Sequence, residues 1–203
     1  MSVTAQGQRQ MTYEQFLVEA DGQHAEWVNG EVRVMSPVSI RHQQISAFLL
    51  QLMRAFALRR QLGEVLSAPI QMKTGASLPG REPDVLFVAS ENLGRLKTNH
   101  LEGPADLAIE VISPESRLRD RGEKYAEYEA GGVKEYWVLD PEEERADFFL
   151  LDETGRYRPM DPDDAGIYRS RELRGFWLQV DDLWQDPLPD VIDRLGDLGL
   201  LPR

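Results

Sequence analysis

Cysteine is absent from this chain, which excludes disulfides, thiolate zinc sites and a cysteine nucleophile. Histidine is scarce: His24, His42 and His100 are widely separated and form no helical pair, so a histidine-built zinc centre is not expected. There is no Gly-x-x-x-x-Gly-Lys phosphate loop and no Gly-x-Ser-x-Gly elbow, which removes two common hydrolase chemistries. Apolar runs such as Ala47–Leu50 are far too short to cross a bilayer. Met1–Gln10 is polar and lacks the basic-then-apolar layout of a secretion signal, so a cytoplasmic location without membrane partners is expected. Positive charge is in deficit, with 23 Lys and Arg against 35 Asp and Glu and a net charge of −12. That balance argues against a broad phosphate-binding coat. It leaves room for a small acidic site that holds a cation between protein and phosphate.

What is present fits one soluble globular domain: 203 residues, 41% hydrophobic and 29% charged. Residues 1–11 read as a flexible N-terminal segment and 12–203 as a single domain, with a core over about 39–140 and an antiparallel extension over about 145–195. Thr12 to Gln15 has the spacing of a capping box and predicts a short helix to about Ala20. Asn29-Gly30 predicts a tight hairpin between strands Ala25–Val28 and Glu31–Met35. Ser39 then caps a long helix to about Gln61, whose apolar positions Ile45, Phe48, Leu49, Leu52, Met53 and Phe56 recur at helical spacing, with Gly63 ending it. Strands follow at Glu64–Ser67, Ile70–Lys73, Asp84–Val88 and Leu107–Ile112, separated by long polar loops at Thr74–Pro83 and Ala89–Ala105. A helix over Ser116–Ala130 leads to a strand at Lys134–Leu139. The tail predicts strands at Ala146–Leu151, Tyr157–Met160, Arg169–Arg174 and Trp177–Val180, then a short helix near Pro189–Leu195. This order specifies an α/β (α+β) domain with a central mixed sheet.

Two acids stand in apolar company. Asp84 begins Asp-Val-Leu-Phe-Val, and Glu110 interrupts Leu-Ala-Ile-Glu-Val-Ile, runs typical of strands covered on both faces. An ionised carboxylate there is costly unless a cation or several donors compensate. Converging at one sheet edge, the two could share a magnesium ion, which typically takes one or two protein carboxylates. Taken singly, Asp84 could instead cap a turn, and Glu110 could pair with an arginine. Lys124 on the next helix either pairs with Asp120 four residues earlier, a contact worth a few tenths of a kcal/mol, or points over the sheet to orient water and stabilise phosphate charge.

The wider pattern is more specific. It runs Arg81-Glu82-Pro83-Asp84-Val85, then Ile109 to Ser116 (Ile-Glu-Val-Ile-Ser-Pro-Glu-Ser), then Asp120, Lys124 and Tyr128, then Gly132 to Pro141 (Gly-Val-Lys-Glu-Tyr-Trp-Val-Leu-Asp-Pro). This resembles the Uma2 family of the PD-(D/E)xK restriction-endonuclease-like nucleases, over about Thr12 to Val180. The resemblance implies an αβββαβ core carrying the N-terminal helix and hairpin and a C-terminal antiparallel extension. It implies a metal-dependent endonuclease acting on DNA with Mg2+ or Mn2+, by in-line attack of metal-activated water on a phosphodiester. Asp84 would be the main metal ligand, Glu110 the second and the Val111 carbonyl a third. The superfamily lysine normally stands two residues after the acid, where this chain has Ile112, so Lys124 takes its place.

Other residues have weaker claims. Glu31, and less so Glu26, would add an acid near the metal or simply face solvent. His42 would contact phosphate or support the site, or pack as a helix-start residue. Arg117, Arg119 and Arg121 could receive a phosphate backbone. Tyr125, Tyr128, Tyr136 and Trp137 could stack on unpaired bases, although Tyr136 and Trp137 fit better as core or edge aromatics. Two rival readings remain: a nuclease-fold nucleic-acid-binding module that has lost cleavage or needs a partner for it, and an oligomer using exposed apolar residues on Asp147–Leu151. A homodimer is compatible with cutting both strands of DNA.

Overall fold

The computed structural model describes residues 10–20, 23–113, 116–117 and 119–201. Residues 1–9 of the N-terminal segment, Pro114 and Glu115 of the quoted pattern, and Leu118 in the predicted helix lie outside the described residues. Helix α1 (Tyr13–Glu19) starts on the expected capping box: Gln15 N–H donates to the Thr12 hydroxyl at 3.2 Å, and Thr12 N–H to Gln15 Oε1 at 2.9 Å. The hairpin of β1 (Ala25–Val28) and β2 (Glu31–Val34) turns through Asn29 and Gly30 at φ 52° and 89°, the left-handed pair that a two-residue turn requires.

Helix α2 (Ile40–Arg60) is capped by the Ser39 hydroxyl, which accepts from His42 N–H at 3.1 Å. Its end differs from expectation, because Gln61 at φ 57°, not Gly63, forms the left-handed cap. Gly63 serves a different need. It opens β3 (Gly63–Ser67), where an added Cβ would lie 2.1 Å from the Val88 carbonyl oxygen. The chain continues through β4 (Gln71–Lys73), β5 (Gly80–Arg81), β6 (Val85–Ala89), β7 (His100–Glu102), β8 (Leu107–Val111) and β9 (Glu135–Asp140). The two long polar segments are therefore partly ordered: β5 lies in the first, and a 3-10 helix at Ser90–Arg95 together with β7 lies in the second. Backbone pairing with β1 and β4 holds these short strands, a tertiary contact with no local signal.

The central sheet has six strands in the order β11-β10-β9-β8-β6-β3, where β10 is Arg145–Leu151 and β11 is Tyr157–Met160. The β8–β9 pair is parallel and the other pairs are antiparallel, so the sheet is mixed. Strand alternation divides its core. Val85, Phe87, Leu107, Ile109, Val111, Trp137 and Leu139 meet the apolar stripe of α2, whereas Leu86, Val88, Ala108, Tyr136 and Val138 face the opposite side with Tyr128. A second sheet, β2-β1-β5-β4-β7, adds Met72 and Leu101 to that opposite cluster.

The helix expected over Ser116–Ala130 is divided into a wide π turn at Arg119–Glu123 and α3 (Lys124–Gly131). The Tyr136 hydroxyl donates to the Asp120 carbonyl at 2.9 Å, an oxygen that an α-turn would have offered to Lys124 N–H. In the tail, β12 (Ile167–Arg169) pairs with β13 (Trp177–Gln179), and α4 spans Val191–Asp197. The strand expected over Arg169–Arg174 thus stops at Arg169. Its next backbone groups go to a buried acid: Arg171 and Glu172 N–H and the Ser170 hydroxyl all donate to Glu135 Oε2 at 2.9 Å. Tyr168, Leu173, Phe176 and Leu178 of the tail sit in the same buried cluster as α2. Among the described residues, no helix is long and apolar enough to cross a membrane.

Candidate active site

Sheet register brings the two acids together. Val85 pairs with Ile109 and Leu86 with Ala108, so one further step of the same antiparallel register sets Asp84 opposite Glu110. Both then fall on the face shared by Leu86 and Ala108, at the end of the pair where side chains of facing residues approach closely. They line one cleft of about 240 Å³ together with Lys124, Asp120, Arg119, His42 and Glu82.

Asp84 is the more accessible acid, its side chain 16% exposed. Its Oδ2 accepts from Val111 N–H at 2.7 Å and lies 3.1 Å from His42 Nε2. Among the described residues, Oδ1 has no such partner. Glu110 is buried beneath it. The Tyr128 hydroxyl donates to Glu110 Oε1 at 2.7 Å, and Lys124 Nζ lies 2.8 Å from Oε2. Lys124 is only 2% exposed and also meets Glu26 Oε1 at 3.3 Å and Asp120 Oδ1 at 3.4 Å. Asp120, Lys124 and Tyr128 are spaced by four, which sets them on one helical face over the sheet.

Positive charge is unequally shared in this cluster. Burial works against the Glu26 carboxylate, but Lys124 and Arg81 outweigh it and hold its pKa down at about 2. Arg81 Nη1 donates to Glu26 Oε2 at 2.7 Å, and the same guanidinium spans Glu127 with contacts of 2.7 and 2.8 Å. Among the described residues, no arginine pairs with Glu110. Burial raises it well above the ordinary carboxylate value, Lys124 opposes that, and Asp120 and Asp84 push it further up. Lys124 itself is disfavoured by burial, yet Glu110, Glu26, Asp120 and Asp84 together keep it above its ordinary value and therefore charged.

The remaining predicted residues separate into those near the cleft and those away from it. His42 contacts Asp84 and Asp120 contacts Lys124, so both adjoin the central pair. Glu31 stands beside the hairpin turn, paired with Val28, and does not line the cleft. Of the three arginines, Arg119 alone lines it, together with Arg33 from β2. Arg117 is held by Asp140, Glu142 and Glu143, and Arg121 by Asp147. Tyr136 and Trp137 are fully buried, and Tyr128 serves as a hydrogen-bond donor to Glu110, so these three present no stacking surface. The Val111 N–H is engaged by Asp84.

Several contributors escaped the sequence reading. Glu26 is central through Lys124, although it was the weaker of the two hairpin acids. Arg81 had no assigned role, and its only local signal is the Glu123, Glu127 spacing on the helix it reaches. Glu82, two residues before Asp84, is buried, accepts from Gln71 Nε2 at 2.7 Å and lies 2.5 Å from His24 Nδ1. His24 thereby borders the cleft from a position with no sequence motif.

The donor set suits a hard divalent cation, since oxygen ligands are what magnesium and manganese prefer. Three buried carboxylates, Glu26, Glu110 and Asp120, and the half-buried Asp84 face two buried cations, of which Arg81 is shared with Glu127. Asp120 Oδ1 lacks a hydrogen bond. Among the described residues, however, no three His, Asp or Glu side chains form a ready-made cage.

Comparison with known proteins bears on family and fold. The family model Uma2, described as "Putative restriction endonuclease", matches residues 11–181. A solved structure from Anabaena variabilis ATCC 29413, described as "a putative nuclease belonging to DUF820", is similar with a TM-score of 0.64 and 14% identity, covering 79% of this chain and 89% of that one. At that identity the likeness concerns the fold. No curated protein matches the chain.

Proposed function

Because this chain belongs to the Uma2 family and has a restriction-endonuclease-like fold, we propose that it is a nuclease that hydrolyses DNA phosphodiester bonds with magnesium or manganese. The observation that carries this reading is the convergence of Asp84, Glu110 and Lys124 in one cleft through sheet register and a helical face. Asp84 and Glu110 would hold the ion, with the Val111 carbonyl as a further ligand. Bound there, such an ion supplies Lewis-acid polarisation of the phosphoryl group and an activated water.

The chain's own residues have separate tasks. His42 and Val111 N–H engage Asp84 Oδ2, which orients the carboxylate and leaves Oδ1 for a cation. Tyr128 and Lys124 fix the two oxygens of Glu110 in the same way. Lys124, being charged, acts as a donor and a positive centre rather than as a proton acceptor. Arg119 and Arg33 line the cleft as the groups able to receive phosphate oxygens. A second copy of the chain would let paired sites cut both strands.

A second reading, a nucleic-acid-binding module that cleaves only with a partner, is favoured by the absence of a three-residue cage among the described residues and by Ile112, which is buried in the core where a superfamily lysine would stand. The deciding test is nicking of supercoiled and single-stranded DNA with magnesium or manganese by wild type, Asp84→Asn and Glu110→Gln. Cleavage that requires the ion and is lost in both variants supports the nuclease. Ion-dependent cleavage that survives both would remove the proposed site, and DNA binding without cleavage would establish the module.

A further inference from the structure

Beside the catalytic cleft lies a second hollow of about 280 Å³, and the two share His24, Val38, His42 and Asp84 as a common wall. Its far walls are different in kind. Gln43, Ser46, Ala47 and Leu50 follow the i, i+3, i+4, i+7 spacing and so form one stripe of α2. Opposite them stand Ser67, Ala68 and Pro69 at the end of β3.

Charge separates the two hollows. The first holds Lys124, Arg119 and Arg33 with its acids, the equipment for phosphate and cation. The second has no Lys or Arg among the described residues, and Asp84 on the shared wall is its one carboxylate. An anion has nothing to balance it there. Away from the shared wall, what the lining offers is hydrogen bonding without net charge. The Gln43 amide and the Ser67 hydroxyl make no hydrogen bond among the described residues, and His42 Nδ1 and Ser46 Oγ are buried without a partner. Buried polar atoms left in this state are costly and mark places where a partner group belongs. The apolar part comes from Ala47, Leu50 and Pro69, which suit a flat ring. A neutral, planar group with donors and acceptors on its edge, joined to a phosphate one step away, is a nucleobase.

We propose that this hollow is a base-binding subsite, which receives the nucleotide flanking the scissile phosphate and reads its edge through Gln43 and the neighbouring hydroxyls. The proposal rests on the nuclease reading above. A glutamine amide can present a donor and an acceptor side by side, the pairing that matches adenine. Ala47 is where a larger side chain would fill the space.

The test uses the full chain with random-sequence single-stranded DNA, and sequencing of the cut ends with magnesium or manganese. Affinity for the same oligonucleotides is measured in parallel without divalent ion. Wild type, Gln43→Ala and Ala47→Trp are compared. Gln43 is exposed, so its variant keeps the test open if Ala47→Trp fails to fold. The expected result is a base preference at one position beside the cut, lost in Gln43→Ala, with roughly tenfold weaker binding by a folded Ala47→Trp, the scale of one lost base contact. Cleavage with the same end composition and affinity in wild type and both variants would overturn the subsite while leaving the nuclease standing. A wild type that neither binds nor cuts DNA would overturn both.

Discussion

Replacing Lys124 with methionine isolates the electrostatic logic of the site. The ammonium contacts three buried carboxylates, at 2.8, 3.3 and 3.4 Å. Without it, among the described residues, Glu26 keeps Arg81 at 2.7 Å, but Glu110 keeps only the Tyr128 hydroxyl, and Asp120 keeps only Arg119 at 3.6 Å. Removing one partner of a buried ion pair costs about 3–5 kcal/mol. The surviving tyrosine bond favours the lower end, about 3 kcal/mol. For a chain of this size each kcal/mol lowers the melting temperature by about 2–4 °C, so the expected drop is about 6–12 °C. Urea unfolding of Lys124→Met, Glu110→Gln and the double variant measures it. The double variant should be more stable than the sum of the two single effects, because neutralising Glu110 removes one of the charges that Lys124 had balanced. Magnesium or manganese should stabilise Lys124→Met more than wild type, since more unbalanced carboxylate is then available to the ion. Stability within about 0.5 kcal/mol of wild type, or strict additivity, would refute the account.

Other expectations follow from single contacts. Gly63→Ala should destabilise by at least about 2 kcal/mol in urea, because the new Cβ would meet the Val88 carbonyl in a backbone conformation that alanine rarely adopts. Glu135→Gln should cost about 3 kcal/mol, as an amide cannot accept from all of the donors gathered on that carboxylate. Asp106 is buried and accepts from Ala89 N–H, Asn92 and Lys134; burial works against its ionised form, but these bonds hold its pKa below the ordinary 3.8. A depressed acid contributes stability that is complete above its unfolded value and is lost as pH falls through its folded value. The stability gap between wild type and Asp106→Asn should therefore be constant near neutrality and shrink below about pH 4. An unchanged gap down to pH 2 would contradict that role.

The sequence made the long elements readable because their signals are local. The Thr12 and Ser39 caps, the Asn29-Gly30 turn and the apolar stripe of α2 each act within a few residues. The short strands β5 and β7 depend on distant partners, and the π turn depends on a tyrosine hydroxyl from another strand. At the site, Asp84 and Glu110 were visible as acids among apolar residues. That criterion alone does not separate function from architecture. Glu135 and Asp106 are equally buried acids, and like Glu110 they have their oxygens met by protein donors. What distinguishes Glu110 is its place opposite Asp84 in a cleft, with one lysine divided among three carboxylates. Glu26 ranked below Glu31, and Arg81 carried no role, because their relation to Lys124 exists only after the second sheet has packed.

The Glu135 anchor bears on how this protein can be handled. Its donors are Trp137 Nε1, the Tyr168 and Ser170 hydroxyls and two backbone N–H groups, none of them an ion. Ionic strength weakens attraction between accessible charges and leaves buried neutral donors almost untouched. On the proposed reading, salt should strip a bound polyanion from the cleft without loosening the tail from the sheet. A high-salt wash would return the protein intact and free of nucleic acid, and recognition could be titrated separately from folding.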